Sequence, residues 1–211
     1  MDDSLQILLT RHPSLQGMEQ DLKRAAQLLI KTAEEGKLIL VAGNGGSAAD
    51  SEHIVGELMK SFITPRPLDE EFKARLVEAD QVMGVHIATH LQKGVAAICL
   101  SSHTALLSAF ANDVDSSLSY AQQVAGYGSE GALLWGLSTS GNAQNVVQAA
   151  VTAKAMGMRV LGMTGEGGGK LKGFCDVCLQ VPETETYKVQ ELHLPIYHWL
   201  CIVLEETLFG G

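Results

Sequence analysis

The fold is decided by residues 37–58, KLILVAGNGGSAADSEHIVGEL. The opening run, Lys37–Ala42, is short and apolar, as is typical of a strand buried on both faces of a parallel sheet. Gly43–Ser47 then supplies adjacent glycines, which allow a tight turn, and a serine that can cap a helix. Helical spacing over Ala48–Lys60 completes a strand–turn–helix unit.

The same unit recurs along the chain. Short apolar runs, each followed by polar residues or glycine, predict further strands at Val95–Leu100, Ala132–Leu137, Arg159–Met163 and Val177–Val181. Helical periodicity predicts helices over about Ser14–Glu35, Asn142–Met156 and Lys188–Leu208. Repeated units of this kind build a parallel sheet covered on both faces. We therefore expect an α/β fold, a three-layer α/β/α sandwich around a five-stranded parallel sheet of the flavodoxin-like kind.

One segment interrupts this pattern. Pro65–Lys93 is strongly charged at first, DEEFKARLVEAD at residues 69–80, and then becomes more apolar. No long linker, internal repeat or low-complexity tract is present. We interpret the segment as a helical insert, at about residues 65–93, after the first strand–helix unit of a single domain spanning residues 1–211.

Composition limits the function. The chain has 211 residues and a net charge of -9, which argues against broad binding to nucleic acid or to anionic membranes. A phosphate remains a suitable ligand, because backbone N–H groups at a helix start can hold it. The first residues, MDDSLQILLTRHPSLQ, lack the pattern of a signal peptide, and no apolar stretch is long enough to span a bilayer. We expect a cytoplasmic protein.

The cysteines carry no clear chemistry. Without an export signal, we expect Cys99, Cys175, Cys178 and Cys201 to be reduced and mostly buried. Cys175 and Cys178 have C-x-x-C spacing, but no second pair completes a zinc site. The pair also enters a predicted strand rather than opening a helix, which argues against a redox motif.

Two turns at the carboxyl ends of predicted strands have the chemistry of an anion cradle. The first is Asn44–Ser47, and the second is Ser138–Asn142, which combines three hydroxyls with a glycine before a helix. Ligands bind at this edge of open parallel sheets. Gly165–Gly169 follows another strand, and we predict only a structural role for it. A dinucleotide loop is the alternative for Gly43–Ala48, but the acidic residue that such a site requires is not evident.

Histidines and carboxylates recur at helical spacing. His53 and Glu57 lie four residues apart and so share one face of a helix, whereas Gln190, His193 and His198 lie on the last predicted helix. Imidazole and carboxylate groups suit either Zn²⁺ or acid–base catalysis. His86 and His90 form a second pair of the same spacing in the insert, with a weaker case for any site.

These residues together resemble a known family. GNGGSAADSEHIVGEL resembles the active-site turn and helix of the phosphoheptose isomerases, which are sugar isomerase (SIS) domain proteins. LSTSGNAQNVVQAA resembles their phosphate loop, Asn112-Asp113 a sugar-contacting pair, and VQELHLPIYHWLCIVLEE their final helix. The resemblance runs from the first helix to the end of the chain, apart from Pro65–Lys93.

The resemblance implies roles for individual residues. It makes Glu57 and His198 the catalytic acid–base pair, and it implies a metal, Zn²⁺ by preference, with another divalent ion or none as alternatives. The implied metal ligands are His53, Glu57, Gln190 and His198. The implied substrate contacts are Asn44, Gly45, Gly46, Ser47, Glu57, Asn112, Asp113, Ser138, Thr139, Ser140 and Gln190. It also implies a homotetramer with active sites at subunit interfaces. The net charge and the short apolar stretches predict no nucleic-acid or membrane partner.

Two departures from the family pattern affect the substrate. The family usually has serine where this chain has Ala143, so one phosphate-binding hydroxyl is missing and weaker phosphate binding or a compensating neighbour is expected. Pro65–Lys93 is longer than in the best-known members. The resemblance thus implies isomerisation of sedoheptulose 7-phosphate to an aldose heptose 7-phosphate through an enediol. The alternatives are another phosphosugar, or a non-catalytic protein that binds phosphosugars or a replication initiator.

Overall fold

The computed structural model describes residues 2–210, together with every side chain in that range except that of Asp2. Met1 and Gly211 lie outside the described residues. The helices, in chain order, are α1 (Asp2–Arg11), α2 (Glu19–Glu34), α3 (Gly46–Met59), α4 (Glu70–Ala79), α5 (Met83–His90), α6 (Thr104–Phe110), α7 (Ser119–Tyr127), α8 (Gln144–Ala155) and α9 (Thr186–Phe209). The strands are β1 (Ile39–Ala42), β2 (Ala97–Cys99), β3 (Leu133–Leu137), β4 (Arg159–Thr164) and β5 (Val177–Gln180).

The five strands of residues 2–210 form one parallel sheet in the order β2-β1-β3-β4-β5. Ile39 is in register with Ala97 on one side and with Leu133 on the other. The chain therefore enters the sheet at β1, adds β2 on one side of it, and then adds β3, β4 and β5 on the other side. In such sheets the crevice at this reversal, above β1 and β3, is where ligands bind.

Alternate residues of each strand face opposite helical layers, as the two-residue period of a strand requires. Ile39, Val41 and Trp135 pack with α1, α2, α3 and α9, whereas Leu40 and Leu134 pack with α7 and α8. These side chains are fully buried. The predicted three-layer sandwich around a five-stranded parallel sheet is confirmed. Within residues 2–210, every helix is too short or too polar to cross a bilayer.

The structure differs from the sequence predictions at the first helix and after β2. The single helix expected over Ser14–Glu35 is instead a 3₁₀ turn at Pro13–Met18 followed by α2, and α1, which was not predicted, precedes it. Pro13 cannot donate a backbone hydrogen bond, so it suits a helix start rather than a helix interior. Between β2 and β3, α6 continues through a π-helical segment, Ala111–Asp115, and a short 3₁₀ turn to α7. These helices are short, so their periodicity gave little signal.

The segment interpreted as an insert contains α4 and α5, which form a helical hairpin. Its ends are held together by an isolated bridge between Pro67 and Gln92 and by a 2.8 Å hydrogen bond from Lys93 N to Arg66 O. Gly84 lets the two helices approach closely, because a β-carbon there would overlap the carbonyl of Leu76. The hairpin thus leaves and rejoins the domain at one point.

A buried ion pair fastens the hairpin and α3 to α9. The Arg66 Nε atom lies 2.7 Å from Glu205 Oε1, and both side chains are at most 1% exposed. Arg66 also donates to the carbonyls of Glu57 and Leu58 at the end of α3. Glu205 accepts three backbone N–H bonds, from Phe62, Ile63 and Thr64. Burial raises the pKa of Glu205, but these hydrogen bonds and Arg66 outweigh it and hold the pKa below its ordinary value.

Replacing Arg66 with methionine should lower the free energy of unfolding by about 3–5 kcal/mol, because Glu205 would be left as a buried, unpaired charge. Arg75→Met is the matched control. Arg75 also pairs with a glutamate, Glu71, at 2.6 Å, but its side chain is 60% exposed, so about 0–1 kcal/mol is expected. Urea denaturation of both variants measures the difference. Equal losses would show that the buried pair contributes no more than a surface pair.

A buried histidine links α9 to the sheet. His193 is fully buried, and its Nε2 donates to the carbonyl of Thr164 at 3.3 Å. Among the described residues, its Nδ1 has no hydrogen-bond partner. Burial lowers the pKa of His193 to about 4, because the charged ring would lose its hydration.

His193 should therefore make folding weaken in mild acid. Below pH 6.5 the unfolded chain protonates this ring while the folded chain does not, so stability falls until the pH reaches about 4. The loss from this group is about 3 kcal/mol for a shift from 6.5 to about 4. Urea denaturation between pH 7 and 4, with His193→Gln and with half-buried His12→Gln as control, measures it. A His193→Gln protein that kept the full acid sensitivity would contradict the assignment.

Candidate active site

The turn after β1 has glycine at three positions, and the surroundings of each differ. At Gly43, a β-carbon would overlap the carbonyl oxygen of Ser47 in the first turn of α3. Gly45 has φ +56°, a region that residues with side chains rarely adopt. At Gly46, a β-carbon would lie 2.6 Å from Nε2 of Gln190 on α9. The turn therefore brings the start of α3 into contact with α9.

The turn after β3 is closed by its own side chains. Ser138 is buried, and its Oγ accepts a hydrogen bond from the backbone N of Ala143 at 3.3 Å. Oγ of Ser140 accepts one from the backbone N of Asn142 at 3.2 Å. Gly141, with φ +66°, allows the chain to reverse into α8. The hydroxyls thus lie at the start of α8, where the first backbone N–H groups of a helix have no partner within the helix and can bind an anion.

The third glycine stretch, Gly165–Gly169, packs against this turn, which is the structural role predicted for it. Gly165 N donates to the carbonyl of Thr139 at 2.9 Å, and Leu171 N donates to that of Gly141 at 2.9 Å. A β-carbon at Gly141 would overlap the carbonyl oxygen of Gly168. Three glycines, Gly141, Gly168 and Gly169, have positive φ at this contact. Two backbones therefore pack directly against each other.

Together the first two turns enclose a cavity of about 240 Å³ above β1 and β3. It is lined by Asn44, Gly45, Gly46, Ser47, Leu137, Ser138, Thr139, Ser140, Ala143, Thr186 and Gln190. The structure thus brings together most of the residues that the resemblance implied as substrate contacts. Ala143 lines the same cavity, at the position where the family has a serine.

Asn112 and Asp113 do not line this cavity. They are exposed on the π-helical segment, where Asn112 Nδ2 donates to Asp113 Oδ1 at 2.9 Å. The segment follows β2, which is the edge strand on the side of β1 away from β3. Glu57, the remaining implied contact, lies deeper along α3 and is also outside the cavity.

Two site residues were not found from the sequence. Asn145, in the first turn of α8, exchanges two 2.9 Å hydrogen bonds with Asn44 through their side-chain amides. Tyr120 donates from its hydroxyl to the carbonyl of Gly43 at 2.6 Å. Both hold the first turn in place. A polar side chain just inside the helix that follows a glycine turn could have indicated Asn145, but Tyr120 lies 77 residues from its partner and gave no local signal.

His53, Glu57 and His198 form a second cluster, where α3 and α9 run side by side. His53 Nε2 lies 3.3 Å from Glu57 Oε1, and Lys60 donates to Glu57 Oε2 at 3.0 Å. The ring of His198 lies 5.0 Å from that of His53, centre to centre. Glu57 is largely buried, whereas 42% of the His53 side chain is exposed. The cluster is thus accessible on its His53 side.

His198 is the least satisfied member of the cluster. Its Nε2 is buried and, within residues 2–210, has no hydrogen-bond partner. Burial lowers the pKa of His198, and the neighbouring His53 adds to this, while Glu57 opposes it. The ring is therefore favoured in its neutral form, in which one nitrogen is an acceptor.

These donors fit a divalent metal chemically. Two imidazoles and a carboxylate are the ligands that Zn²⁺ prefers, and the unpartnered Nε2 of His198 is available to such an ion. Gln190, the fourth predicted ligand, lines the cavity beside Gly46 and precedes His198 by eight residues, about 12 Å along α9. No three His, Cys, Asp or Glu side chains of the described part of the chain already form a metal-binding group. A small rearrangement would accompany binding.

Comparison with known proteins identifies the family. The SIS domain family model matches residues 13–103 and 83–165. The phosphoheptose isomerase of Akkermansia muciniphila is 33% identical over 198 residues, which cover 94% of this chain and 91% of that protein. The phosphoheptose isomerase of Helicobacter pylori is 36% identical over 192 residues, covering 91% and 86%.

Solved structures agree with the sequence comparison. The phosphoheptose isomerase of Neisseria gonorrhoeae matches with a TM-score of 0.74 at 28% identity, and that of Francisella tularensis with 0.76 at 26%. Each match covers 97% of this chain and 94% of the other. The resemblance found in the sequence is confirmed: the chain belongs to the phosphoheptose isomerase family of SIS-domain proteins.

Proposed function

We propose that this protein interconverts the ketose and aldose forms of a phosphosugar, with sedoheptulose 7-phosphate as its substrate. The observation that carries the proposal is the arrangement of two chemical sites along one pair of parallel helices. The cavity lies where Gly46 of α3 meets Gln190 of α9. His53 meets His198 seven residues further along α3, about 10 Å away. One elongated ligand with a phosphate at one end suits both.

The cavity takes the phosphate in this proposal. Ser138, Thr139 and Ser140 supply hydroxyl groups, and the start of α8 supplies backbone N–H groups and the positive end of the helix dipole. Asn44 and Gln190 offer amides to the sugar hydroxyls. These hydroxyl, amide and backbone N–H groups supply local positive potential, which offsets the acidic net charge of the chain.

The cluster performs the proton transfers. Glu57 is assigned as the base that removes the proton next to the carbonyl, which gives an enediol, and His198 as the donor or relay that returns a proton at the neighbouring carbon. Lys60 donates to Oε2 of the Glu57 carboxylate and so orients it, while Oε1 faces Nε2 of His53 at 3.3 Å. General acid–base catalysis of this kind contributes about 10²–10⁴-fold to a rate.

A metal is part of the proposal. His53, Glu57 and His198 would hold it, with Gln190 of the cavity wall as the fourth ligand that the family resemblance implies. A bound Zn²⁺ would polarise the sugar oxygens during enolisation. A carboxylate bound to a metal is a weaker base, so Glu57 does not serve both roles at one moment. A homotetramer with shared sites remains a prediction from the family resemblance, and a cytoplasmic location remains a prediction from the sequence.

Glu57→Gln should reduce turnover of sedoheptulose 7-phosphate by about 10²–10⁴-fold, because an amide cannot take the proton. Glu52→Gln is the control, since Glu52 lies on the same helix but is exposed and bonds only to Ser102 among the described residues. Turnover, with circular dichroism to verify folding, should separate the two. A Glu57→Gln protein with undiminished turnover would exclude Glu57 as the base.

The same assay distinguishes the alternative functions. The protein is tested with seven-, six- and five-carbon phosphosugars, and thermal shift measures binding of each. Turnover of a shorter phosphosugar in preference to the heptose would make that sugar the assigned substrate. Thermal stabilisation by phosphosugars without turnover of any would identify a binding protein instead of an enzyme.

Gly141→Ala should abolish stabilisation by inorganic phosphate and by phosphosugars. The added β-carbon meets the carbonyl of Gly168 at a backbone angle that only glycine readily adopts, so the turn after β3 must move. Gly167→Ala is the control, since Gly167 has open space around it and no positive φ. Thermal shift against phosphate concentration measures both. Wild-type phosphate binding by Gly141→Ala would place the phosphate elsewhere.

A further inference from the structure

A chain of polar groups lies behind His53. Nδ1 of His53 is 3.1 Å from the hydroxyl oxygen of Tyr197, and that hydroxyl is 3.2 Å from Oδ1 of Asp50. Tyr197 is fully buried, and its ring is held edge-on against the rings of His53 and His198, with centres 5.5 and 4.9 Å away. The hydroxyl therefore has little freedom to find other partners.

Counting hydrogens fixes the direction of these bonds. The Tyr197 hydroxyl carries one hydrogen, and an Asp50 carboxylate carries none, so their contact requires the tyrosine to donate. Oδ2 of Asp50 is buried and has no partner among the described residues. Asp50 is half-buried, and among the described residues its Oδ1 bonds only to Tyr197, so turning the hydroxyl away would leave the carboxylate without a protein donor, which is costly for a partly buried charge. The contact between Tyr197 and His53 must then be supplied by a hydrogen on His53 Nδ1.

This assignment has a consequence at the other side of the ring. A neutral imidazole with its hydrogen on Nδ1 has a lone pair on Nε2. That atom lies 3.3 Å from Glu57 Oε1, which is also an acceptor. Two acceptors facing each other repel unless a cation lies near both. The polar chain therefore leaves an arrangement that a divalent metal would relieve, with the buried Nε2 of His198 in the adjacent ring.

We propose that Tyr197, anchored by Asp50, is a positioning residue that holds His53 in its Nδ1–H tautomer and so aims the Nε2 lone pair at a cation beside Glu57. The proposal deepens the proposed function, because it rests on the assignment of His53 and Glu57 to the metal. Histidine ligands in metal sites ordinarily donate their second N–H to a carboxylate, a backbone carbonyl or a water molecule, which sets the tautomer and orients the ring. Here the partner is a tyrosine hydroxyl on α9.

The tautomer can be measured without metal or substrate. In the ¹⁵N-histidine-labelled, metal-free protein at pH 8, the nitrogen shifts of His53 should show protonation at Nδ1. Tyr197→Phe removes the hydroxyl and should shift His53 toward an Nε2–H population, since that hydrogen can bond to Glu57. Tyr127→Phe is the control, because Tyr127 ends α7 and its ring contacts His103. Protonation of His53 at Nε2 in the unaltered protein would overturn the proposal.

Metal affinity is the second readout. Competition with a chelator should show Zn²⁺ binding about 10–100-fold weaker in Tyr197→Phe than in Tyr127→Phe, the usual effect of removing a partner behind a metal ligand. Asp50→Asn should have the same direction, because an asparagine amide can donate to the tyrosine oxygen and release the hydroxyl hydrogen toward His53. Equal affinity in all of these proteins would contradict the proposal.

These measurements distinguish failure of the positioning role from failure of the proposed function. If the tautomer and the affinity changes are as expected but no phosphosugar is turned over, the positioning role stands and the isomerase assignment fails. If turnover is present but Tyr197→Phe leaves the tautomer of His53 unchanged, the positioning role fails alone. Thermal unfolding of each variant verifies that Tyr197→Phe leaves the fold intact.

Discussion

The parallel packing of α3 on α9 is the constraint on which the site depends. It is fixed at three levels. At the first, Gly46 has no side chain, so α3 approaches Gln190 closely. In the middle, His53 contacts the neighbouring rings of Tyr197 and His198. At the far end, Arg66 joins the last carbonyls of α3 to Glu205.

This arrangement explains why a buried ion pair is retained far from the cavity. An apolar replacement of similar volume is often as stable as a buried pair. Arg66 and Glu205, however, also bind five backbone groups, two carbonyls and three N–H groups, which an apolar pair could not satisfy. The pair thus sets the direction in which the chain leaves α3, and with it the place of the helical hairpin relative to the site.

The cavity proposed to bind the phosphate is built differently, from backbone contacts rather than from charged side chains. Gly141, Gly168 and Gly169 let two loops pack backbone to backbone, and Asn44 and Asn145 join the first turn to α8. A chain with a net charge of -9 can hold an anion here because helix starts and hydroxyls supply local positive potential. The cavity and the histidine cluster share no residue. They are held at a fixed separation because both include side chains or backbone of α3 and α9.

The sequence by itself determined the sheet, the two turns and the spacing of His53 and Glu57. Strand periodicity, glycine clusters and helical spacing are local properties, and local geometry is what a sequence pattern records. Only the tertiary structure decided which distant groups meet. It placed Tyr197 and Asp50 behind His53, Asn145 against Asn44, and Asn112 with Asp113 outside the cavity. These outcomes depend on strand order and on the packing of helices far apart in sequence, which no local pattern encodes.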